Sequence, residues 1–395
     1  MILLLAAWLA IAQAGQADSL SLSDAVGMAR HRRAVLEGAS ARVAEARGDA
    51  RIAGEVPNPT ASASHTQSAP EYHLSVQQPF DWLLTRRPGL QAANALVERA
   101  RVDSALVDAL LVADVRRAFF GLLAAQRSET IALEETAIAD SVVRIAAARL
   151  ARGDIAEMEL TQLQLEAGRA RQLLSRTREG RRVASSVFGR VVGLSVAAAP
   201  RLAGDLADGL GSEPSDVPSM ERIPVVRLAL ADSAAAAGQL ATARRARIPL
   251  PGLEVGHEWR DPTLPGQSFW LFGVTIPIPL LNQGGGRVAV SGARADQANA
   301  AIVETRLEVT QQVTEARVRL EEAAARAVRA RDSLIPAARR LRARALLAYQ
   351  LGETGLLAVL EALRSEREAE SAGLEDLLVF QEARATWYAL LGIAR

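Results

Sequence analysis

The chain has 395 residues with a formal net charge of +1, and it contains no cysteine. All 46 of its basic residues are arginine. This composition excludes disulfides, thiolate metal sites, cysteine nucleophiles, a P-loop lysine and a Schiff-base lysine, and it gives no basic field for nucleic acid. Aromatic residues make up only 4% of the chain, while Ala, Leu, Arg and Glu dominate, a balance that favours long helices or coiled coils.

An apolar run at the N-terminus predicts a secretory signal. Residues 2–12 are apolar, and the small-residue motif Ala12-Gln13-Ala14 follows as a candidate cleavage site. The run is too short to span a bilayer, so we expect residues 1–17 to be a signal peptide. The alternative is a buried N-terminal helix, since no basic residue precedes the apolar run. No later stretch predicts a transmembrane helix.

The next segment predicts a helix followed by a β-hairpin. Residues 21–52 carry a weak apolar stripe at helical spacing, with Ser23 and Asp24 as candidate caps. Pro57-Asn58-Pro59 ends that helix, because proline neither continues a helix nor permits one just before it. Small, polar and apolar residues alternate over 59–80, a pattern that predicts two strands.

A long helical hairpin is predicted after these strands. Residues 89–150 contain no proline and repeat apolar residues at helical intervals, which predicts a helix of about 90 Å. Gly153 interrupts the pattern and 155–192 resumes it, so we expect the tip of the hairpin at Gly153. A Gly/Pro/Ser/Asp-rich linker occupies 204–218.

The second half predicts the same order of elements. A helix covers 225–247, a β-hairpin covers 252–279, and a long helix covers 287–351, broken only by Pro336. Gly352 marks its tip. Three pairs of anchors lie 199 or 200 positions apart: Gly153 and Gly352, Pro79 and Pro279, Arg87 and Arg287. This offset predicts two structural repeats, 18–205 and 206–395.

The segment "IPIPLLNQGGGR" at 276–287 reads as a junction between a strand and a helix. Its prolines end the strand, and its glycines allow a sharp turn into the helix. "QQPFDWLLTRRPG" is its counterpart in the first half. A phosphate-binding loop is the rival interpretation, and it fails because no lysine and no suitably placed Ser or Thr follows.

Aromatic residues concentrate in and beside the two predicted hairpins. Aromatics at strand ends are typical of the interfacial girdles of membrane β-barrels. The candidate girdle residues are Tyr72, Phe80, Trp82, Trp259, Phe269, Trp270 and Phe272. The polar face of the strands would line the lumen with His73, Ser75, Gln77, Glu254, Glu258 and Arg260. A soluble sheet with one half-buried face is the alternative.

Four strands are too few to close a membrane barrel, because the smallest have eight strands and an open edge is not tolerated in lipid. The barrel must then be shared between copies of the chain. Helices of this length also need neighbours along their whole length.

The combined pattern resembles the TolC-like family of outer-membrane efflux channels. The resemblance covers nearly the whole mature chain and rests on the repeat, the order of elements and five local motifs. These are "VPNPTASAS", "VQQPFDWLLTRRPG", "ARLARGDIAEMELTQLQLE", "IPIPLLNQGGGR" and "AYQLGETGLLAVLEALRSE". The "NPT" run and the acidic residues after the tip glycines are most similar to the metal-efflux (CzcC-type) branch.

The resemblance implies a mainly α fold with a small membrane β-barrel portion. Long helical hairpins would form a periplasmic α-barrel, and four strands per chain would contribute to a 12-stranded barrel in a homotrimer. The protein would be a passive conduit in the outer membrane, without enzymatic activity or cofactor. Its partners would be a periplasmic adaptor protein and an inner-membrane efflux pump. A soluble periplasmic coiled-coil scaffold is the alternative function.

The resemblance also assigns roles to residues at the hairpin tips. The positions that match adaptor-contacting tips are Arg152, Gly153, Asp154, Ile155, Leu351, Gly352, Glu353 and Thr354. Glu361, and more weakly Glu159, match an acidic ring at the periplasmic entrance. The alternative for both glutamates is an ordinary solvated helix face, and the tip glycines would serve as helix caps in either case.

Other candidate chemistry is weak. Trimer symmetry would turn His65, His73 or His257 into a ring of three imidazoles able to bind zinc, although water-facing or loop histidines are favoured. The pairs Glu134-Glu135 and Glu321-Glu322 lie among arginines and indicate salt-bridged helix surfaces rather than acid–base dyads. The chain departs from the family in its short length and in lacking the acylated cysteine of several branches.

Overall fold

The computed structural model describes residues 19–194, 200–212, 216–261, 263 and 265–394, so the predicted signal peptide lies outside the described residues. The described residues form eight α-helices and four strands. The helices are α1 Leu22–Arg32, α2 Ala34–Gly54, α3 Trp82–Ala151, α4 Glu157–Val192, α5 Pro224–Arg245, α6 Gly285–Arg329, α7 Ile335–Leu351 and α8 Leu356–Leu391. The strands are β1 Thr60–His65, β2 Tyr72–Pro79, β3 Gly252–Trp259 and β4 Ser268–Thr275. The expectation of a mainly helical chain with long helices and four strands is confirmed.

No helix in the described part of the chain is both long enough and apolar enough to cross a bilayer.

The first predicted helix is in fact two helices, α1 and α2, separated by the extended residue Arg33 (φ −94°, ψ 110°). The N-cap of α1 is Ser21, two residues before the predicted cap Ser23. The Asp24 N–H donates to Ser21 Oγ, and the Ser21 N–H donates back to Asp24 Oδ2, both at 3.2 Å. This reciprocal pair is a capping box. Ser23 lies inside the helix, so its predicted role as a cap was wrong.

The long helix α3 contains 70 residues and begins at Trp82, seven residues before the predicted start at Gly89. Pro88 lacks the N–H that would bond to the carbonyl four residues earlier, and a helix start after Pro88 was predicted for that reason. That carbonyl belongs to Leu84. An Arg245 guanidinium donates to the Leu84 oxygen at 3.4 Å, so a side chain replaces the missing backbone donor and the helix continues.

The second long helical segment is interrupted where proline was expected to break it. A π-helical turn, Ala330–Leu334, joins α6 to α7 directly before Pro336. Pro336 has no N–H to offer to the Asp332 carbonyl, and a π turn re-spaces the backbone hydrogen bonds around such a gap. The chain therefore stays helical through the break.

The four strands form one antiparallel sheet in the order β1-β2-β3-β4. Directly paired residues share a face of a sheet, so the register defines both faces. The apolar face carries Leu74, Val76, Leu253, Val255, Trp270, Phe272 and Val274, and the polar face carries Ser62, Ser64, His73, Ser75, Gln77, Glu254 and Glu258. Strand β4 ends at Thr275, four residues before the predicted end of the hairpin at Pro279, because Pro277 cannot donate to the ladder.

The chain divides into two compact units, each built from separate segments. The first unit comprises 1–34, 107–217 and 311–395, and the second comprises 35–106 and 218–310. Each unit therefore takes residues from both predicted repeats. A core of the first unit, within the described residues, contains Ala316, Leu320, Ala323, Ala327, Phe380, Trp387 and Leu391.

The helices of the second unit pack closely through small residues. Ala50, Ala93 and Val97 form a buried cluster between α2 and α3. At Gly238 in α5, a Cβ atom would lie 2.8 Å from the Ala92 Cβ and 2.9 Å from the Ala92 N, closer than real Cβ contacts. Glycine is thus required at that position for α5 and α3 to approach each other.

Candidate functional site

The first hairpin tip is closed by glycine at the end of α3. Gly153 has φ +80°, a left-handed conformation that glycine adopts without a Cβ penalty. The Asp154 N–H donates to the Arg149 carbonyl at 3.0 Å and the Gly153 N–H donates to the Leu150 carbonyl at 2.9 Å. This pair of hydrogen bonds is a Schellman motif, which satisfies the last carbonyls of the helix and reverses the chain.

The second tip repeats the same geometry at the end of α7. Gly352 has φ +77°, the Glu353 N–H donates to the Ala348 carbonyl at 2.9 Å, and the Gly352 N–H donates to the Tyr349 carbonyl at 3.2 Å. The sequence placed both tips at the correct glycines. A glycine followed by an acidic residue at the end of a long helical pattern was the signal.

The two tips contact each other through Arg149 and Tyr349. The Arg149 guanidinium lies over the Tyr349 ring, 4.7 Å from its centroid, and donates to the Tyr349 carbonyl at 3.1 Å. Tyr349 is only 1% exposed, and its burial raises the pKa of its hydroxyl. Sequence reasoning missed this pair. Tyr349 is the lone aromatic residue in 287–351, which was an available signal.

An apolar cluster locks the tips together around this contact. Its buried members are Val142, Ala146, Leu163, Tyr349, Leu356 and Val359, and the predicted tip residue Ile155 packs against them. The ends of the four helices α3, α4, α7 and α8 are therefore joined by packing as well as by the cation–π contact.

The outer surface of the tips combines charges with exposed apolar side chains. Arg152 donates from Nε to Asp154 Oδ2 at 3.1 Å, and both side chains are exposed. Leu351, Leu357 and Met158 are 64%, 69% and 68% exposed. Glu353 is exposed and Thr354 is half-buried. Such apolar residues on a polar surface are suited to contact another protein.

The two candidate gate residues lie on different helices. Glu361 is exposed on α8 and lines a groove of about 600 Å³ together with Glu135, Arg364, Glu366 and Arg367. Glu159 is half-buried in the first turn of α4, close enough to Tyr349 to influence it electrostatically. Neither glutamate has an ion pair among the described residues.

Near Glu361, the buried carboxylates of Glu366 and Glu370 and the half-buried carboxylate of Glu135 pair with three arginines, a cluster that sequence reasoning missed. Arg339 donates to Glu370 Oε1 from Nε and Nη2 at 2.8 and 2.6 Å. The other two pairs are Arg342 Nε to Glu366 Oε2 at 3.2 Å and Arg367 Nε to Glu135 Oε2 at 3.4 Å. We call these six residues the ionic cluster. Three opposite-charge pairs balance its charge, which a set of buried carboxylates requires.

Burial governs the acidity of two members of the ionic cluster. Burial is the main cause of the raised pKa of Glu366. The positive charge of Arg342 lowers this pKa, and the negative charge of Glu370 raises it further. The pKa of Glu135 is likewise raised chiefly by burial, opposed by Arg367. A carboxyl with a raised pKa in the folded state binds its proton more readily when folded, so it lowers stability as pH rises through that pKa.

The raised pKa of Glu366 leads to the first prediction, which concerns the pH dependence of stability. Glu366→Gln imitates the protonated side chain and removes this pH dependence. The variant should gain stability relative to the native chain as pH rises from about 5 to about 8. The gain is at most about 1.4 kcal/mol for each unit by which folding raises the pKa of Glu366. Thermal unfolding of both proteins across this range measures the difference. The control is Glu368→Gln, since Glu368 is exposed. A pH-independent difference for Glu366→Gln would contradict the prediction.

The aromatic residues of the sheet gather near its hairpin loops on the apolar face. Tyr72 stacks on Trp259 with ring centroids 5.6 Å apart, and His65 stacks on Tyr72 at 4.7 Å. Trp270 and Phe272 are 67% and 76% exposed. Phe269 lies on the opposite, polar face, since it pairs with Glu258. Phe80 lies between β2 and α3, and the indole N–H of Trp82 donates to the Pro79 carbonyl at 3.1 Å.

The histidines of the strands do not converge. His73 contacts Glu258 at 3.0 Å on the polar face, whereas His65 and His257 lie on the apolar face. His257 packs against Trp259 and Trp270, with centroids 5.4 and 5.0 Å apart. Among the residues that the structure describes, no group of three or more His, Asp or Glu side chains is arranged to hold a metal ion.

Comparison with known proteins agrees with this architecture. The family model "Outer membrane efflux protein" matches residues 25–187. The cobalt-zinc-cadmium resistance protein CzcC of Cupriavidus metallidurans is 24% identical over 389 residues, covering 95% of this chain and 91% of that protein.

Solved structures show the same fold. A crystal structure of CusC has a TM-score of 0.78 at 18% identity, covering 94% of this chain and 91% of that chain. The open state of the MtrE outer-membrane channel of Neisseria gonorrhoeae has a TM-score of 0.77 at 18% identity, covering 94% and 88%. Residues 25–187 of this chain therefore match the outer membrane efflux proteins, and 94% of the chain shares the fold of CusC and of the MtrE outer-membrane channel.

Proposed function

We propose that three copies of this chain form one continuous conduit, with a shared 12-stranded barrel in the outer membrane and a periplasmic barrel of helices. The observation that carries the proposal is the four-stranded sheet. Its strands β1 and β4 pair on one side only among the described residues, and its apolar face is exposed. A membrane tolerates such a face but not such edges, and pairing of β4 with β1 of the next copy satisfies both edges.

The sequence repeats 18–205 and 206–395 fit this assembly. Each repeat contributes one β-hairpin and one helical hairpin, so a trimer would present six hairpins of each kind around its axis. The Schellman motifs at Gly153 and Gly352 support the equivalence of the two repeats, because both tips use the same hydrogen bonds.

The hairpin tips are proposed to dock a periplasmic adaptor protein, which connects the conduit to an inner-membrane efflux pump. The supporting feature is the exposed surface made of Arg152, Asp154, Leu351, Glu353 and Leu357. The tips hold that surface rigidly, because Tyr349 and its apolar neighbours pack them together. A rigid surface loses little conformational freedom on binding.

Glu361 is proposed to place a ring of three carboxylates at the periplasmic entrance of the trimer. A ring of carboxylates favours cations in a pore. The relative CzcC is named a cobalt-zinc-cadmium resistance protein, and on that basis we include metal cations among the proposed cargo. Glu159 is proposed as a second carboxylate of the same entrance, and it is less exposed than Glu361.

The second prediction tests the role of the tips. Leu351→Ser combined with Leu357→Ser should leave the trimer intact, because both side chains are more than 60% exposed. Burial of one leucine side chain under the adaptor would contribute roughly 1.5–3 kcal/mol to binding. Loss of both leucines should therefore weaken adaptor binding by at least about tenfold. Binding is measured by titrating a purified adaptor protein from the same host against the immobilised trimer.

Leu165→Ser is the matched control, since Leu165 is 57% exposed on α4 and lies outside the tip. The control should bind the adaptor like the native chain. Unchanged binding by the Leu351/Leu357 variant would contradict the assignment of the tips, and it would leave the channel itself unaffected.

A further inference from the structure

Seven arginines lie in the segments that connect one end of the sheet to the helices. The register places Pro79 opposite Gly252, and Gly252 opposite Thr275, so the segments beyond these residues meet at one end of the sheet. The segments 51–59, 79–90, 244–252 and 276–290 contain seven arginines and two carboxylates, a net charge of +5, whereas the whole chain has +1. We call this set the arginine collar: Arg51, Arg86, Arg87, Arg244, Arg245, Arg247 and Arg287.

Hydrogen bonds confirm that the collar segments lie together. Arg86 Nε donates to the Gly54 carbonyl at 2.7 Å, and Arg247 Nε donates to the Gln283 carbonyl at 3.0 Å. Arg245 reaches the Leu84 carbonyl. Each bond joins two different segments, and each uses only one of the five N–H donors of a guanidinium. The remaining donors face outward, since all seven arginines are exposed.

The collar arginines lack carboxylate partners, in contrast to other arginines of the same unit. Arg42, Arg99, Arg227 and Arg306 pair with Asp103, Asp232, Glu98 and Glu221 respectively. Within the described residues, no collar arginine forms an ion pair. The positive charge of the collar is therefore available to an anion from outside the chain.

Helix stability does not account for the whole collar. Arg51, Arg244 and Arg245 lie near helix C-termini, where a cation is favourable. Arg287 is the third residue of α6, where the helix dipole disfavours a cation and the first turn has no acidic residue. Arg86 and Arg87 lie in the second turn of α3, where the dipole does not stabilise a cation. These three positions indicate a negatively charged partner.

Exposed apolar side chains accompany the arginines. Ile276, Ile278, Leu280 and Leu281, in the loop between β4 and α6, are 58%, 74%, 78% and 102% exposed. Arg287 follows them in the chain. Apolar side chains beside unpaired guanidiniums fit the boundary between acyl chains and lipid phosphates, since arginine binds phosphate through several N–H donors at once.

We infer that the arginine collar binds the headgroups of anionic phospholipids at the periplasmic surface of the outer membrane. The inference rests on the proposed function, because it requires the sheet to be the membrane-embedded part. Basic clusters next to a membrane segment attract anionic lipids by roughly 1 kcal/mol, or about fivefold, for each arginine. Binding would fix the depth of the barrel in the membrane.

The test compares lipid retention by the full-length protein purified in neutral detergent. Dioleoyl-phosphatidylglycerol and dioleoyl-phosphatidylcholine are added separately, and native mass spectrometry counts the bound lipids. The native chain should retain phosphatidylglycerol at least about tenfold better than phosphatidylcholine. Combined substitution of Arg51, Arg87, Arg244 and Arg287 by Gln should reduce that preference to about twofold or less. These four side chains form no hydrogen bond or ion pair within the described residues, so the fold should be retained.

The matched control substitutes Arg144, Arg176, Arg182 and Arg340 by Gln, which removes the same charge from exposed positions in the other unit. It should keep the preference for phosphatidylglycerol. Equal retention of both lipids by the native chain, or an unchanged preference in the collar variant, would overturn the inference. A collar variant that loses adaptor binding but keeps its lipid preference would show a protein surface instead.

The oligomer mass, measured in the same spectra, separates a failure of the collar from a failure of the proposed conduit. A conducting trimer without lipid preference would contradict the collar alone. A monomer would contradict the proposed conduit, whatever lipids it retains.

Discussion

Phe272→Arg is expected to prevent most of the chain from assembling in the membrane. Phe272 is 76% exposed on the apolar face of β4 and pairs with Val255. If that face contacts lipid, an arginine near the middle of the bilayer destabilises the barrel by about 2–4 kcal/mol per chain. Three copies of the substitution in each trimer multiply the effect. The measurement is the yield of folded trimer in the outer-membrane fraction.

Leu271→Arg is the matched control, one residue away on the same strand. Leu271 pairs with Gly256 and shares the polar face with Ser75, so its arginine would point into the lumen. We expect this variant to assemble at close to the native level, because lumen substitutions tune selectivity rather than stability. Equal losses for the two variants would contradict the assignment of the two faces.

Arg339→Met is expected to cause the largest loss of stability in the helical part of the chain. The Glu370 side chain is 8% exposed and receives two hydrogen bonds from Arg339. Methionine keeps the apolar stem but leaves a buried carboxylate without its countercharge. Breaking a buried ion pair costs about 3–5 kcal/mol, and the half-exposed arginine places this pair at the lower end. Guanidinium unfolding followed by circular dichroism measures the loss.

Two comparisons make that result specific. The double variant Arg339→Met with Glu370→Met should recover most of the stability, because an apolar pair of similar volume replaces the charges. Arg319→Met removes an exposed ion pair with Glu315 and should cost less than about 1 kcal/mol. Failure of the double variant to recover would show that the pair is not the source of the loss.

The sequence was most informative where local chemistry decides the structure. Glycine ends both helical hairpins because only a left-handed residue permits the Schellman motif at Gly153 and Gly352. Alternation predicted the two faces of the sheet because side chains point to opposite faces in turn. Alternation also separates the neighbours Phe269 and Trp270, since the register places Phe269 on the polar face beside Glu258 and Trp270 on the apolar face.

Features that depend on partners distant in the chain were not predicted. Helix α3 begins before Pro88 because Arg245, from another helix, satisfies the Leu84 carbonyl. The ionic cluster joins Glu135 to Arg367, and a periodicity argument fixes neither the rotation nor the register of helices so far apart in sequence. Glu159 and Glu361 lie on α4 and α8, and the proposed ring of carboxylates stays a prediction, because it requires neighbouring copies of the chain.

The most direct test of the shared membrane barrel is the conductance of the detergent-purified full chain in a planar lipid bilayer, with its oligomer mass measured on the same sample. We expect a trimer that gives discrete channels with a preference for cations. Glu361→Ala should weaken that preference, whereas Glu375→Ala, also exposed on α8, should not. A soluble monomer or dimer without conductance would contradict the shared barrel and favour a periplasmic coiled-coil scaffold.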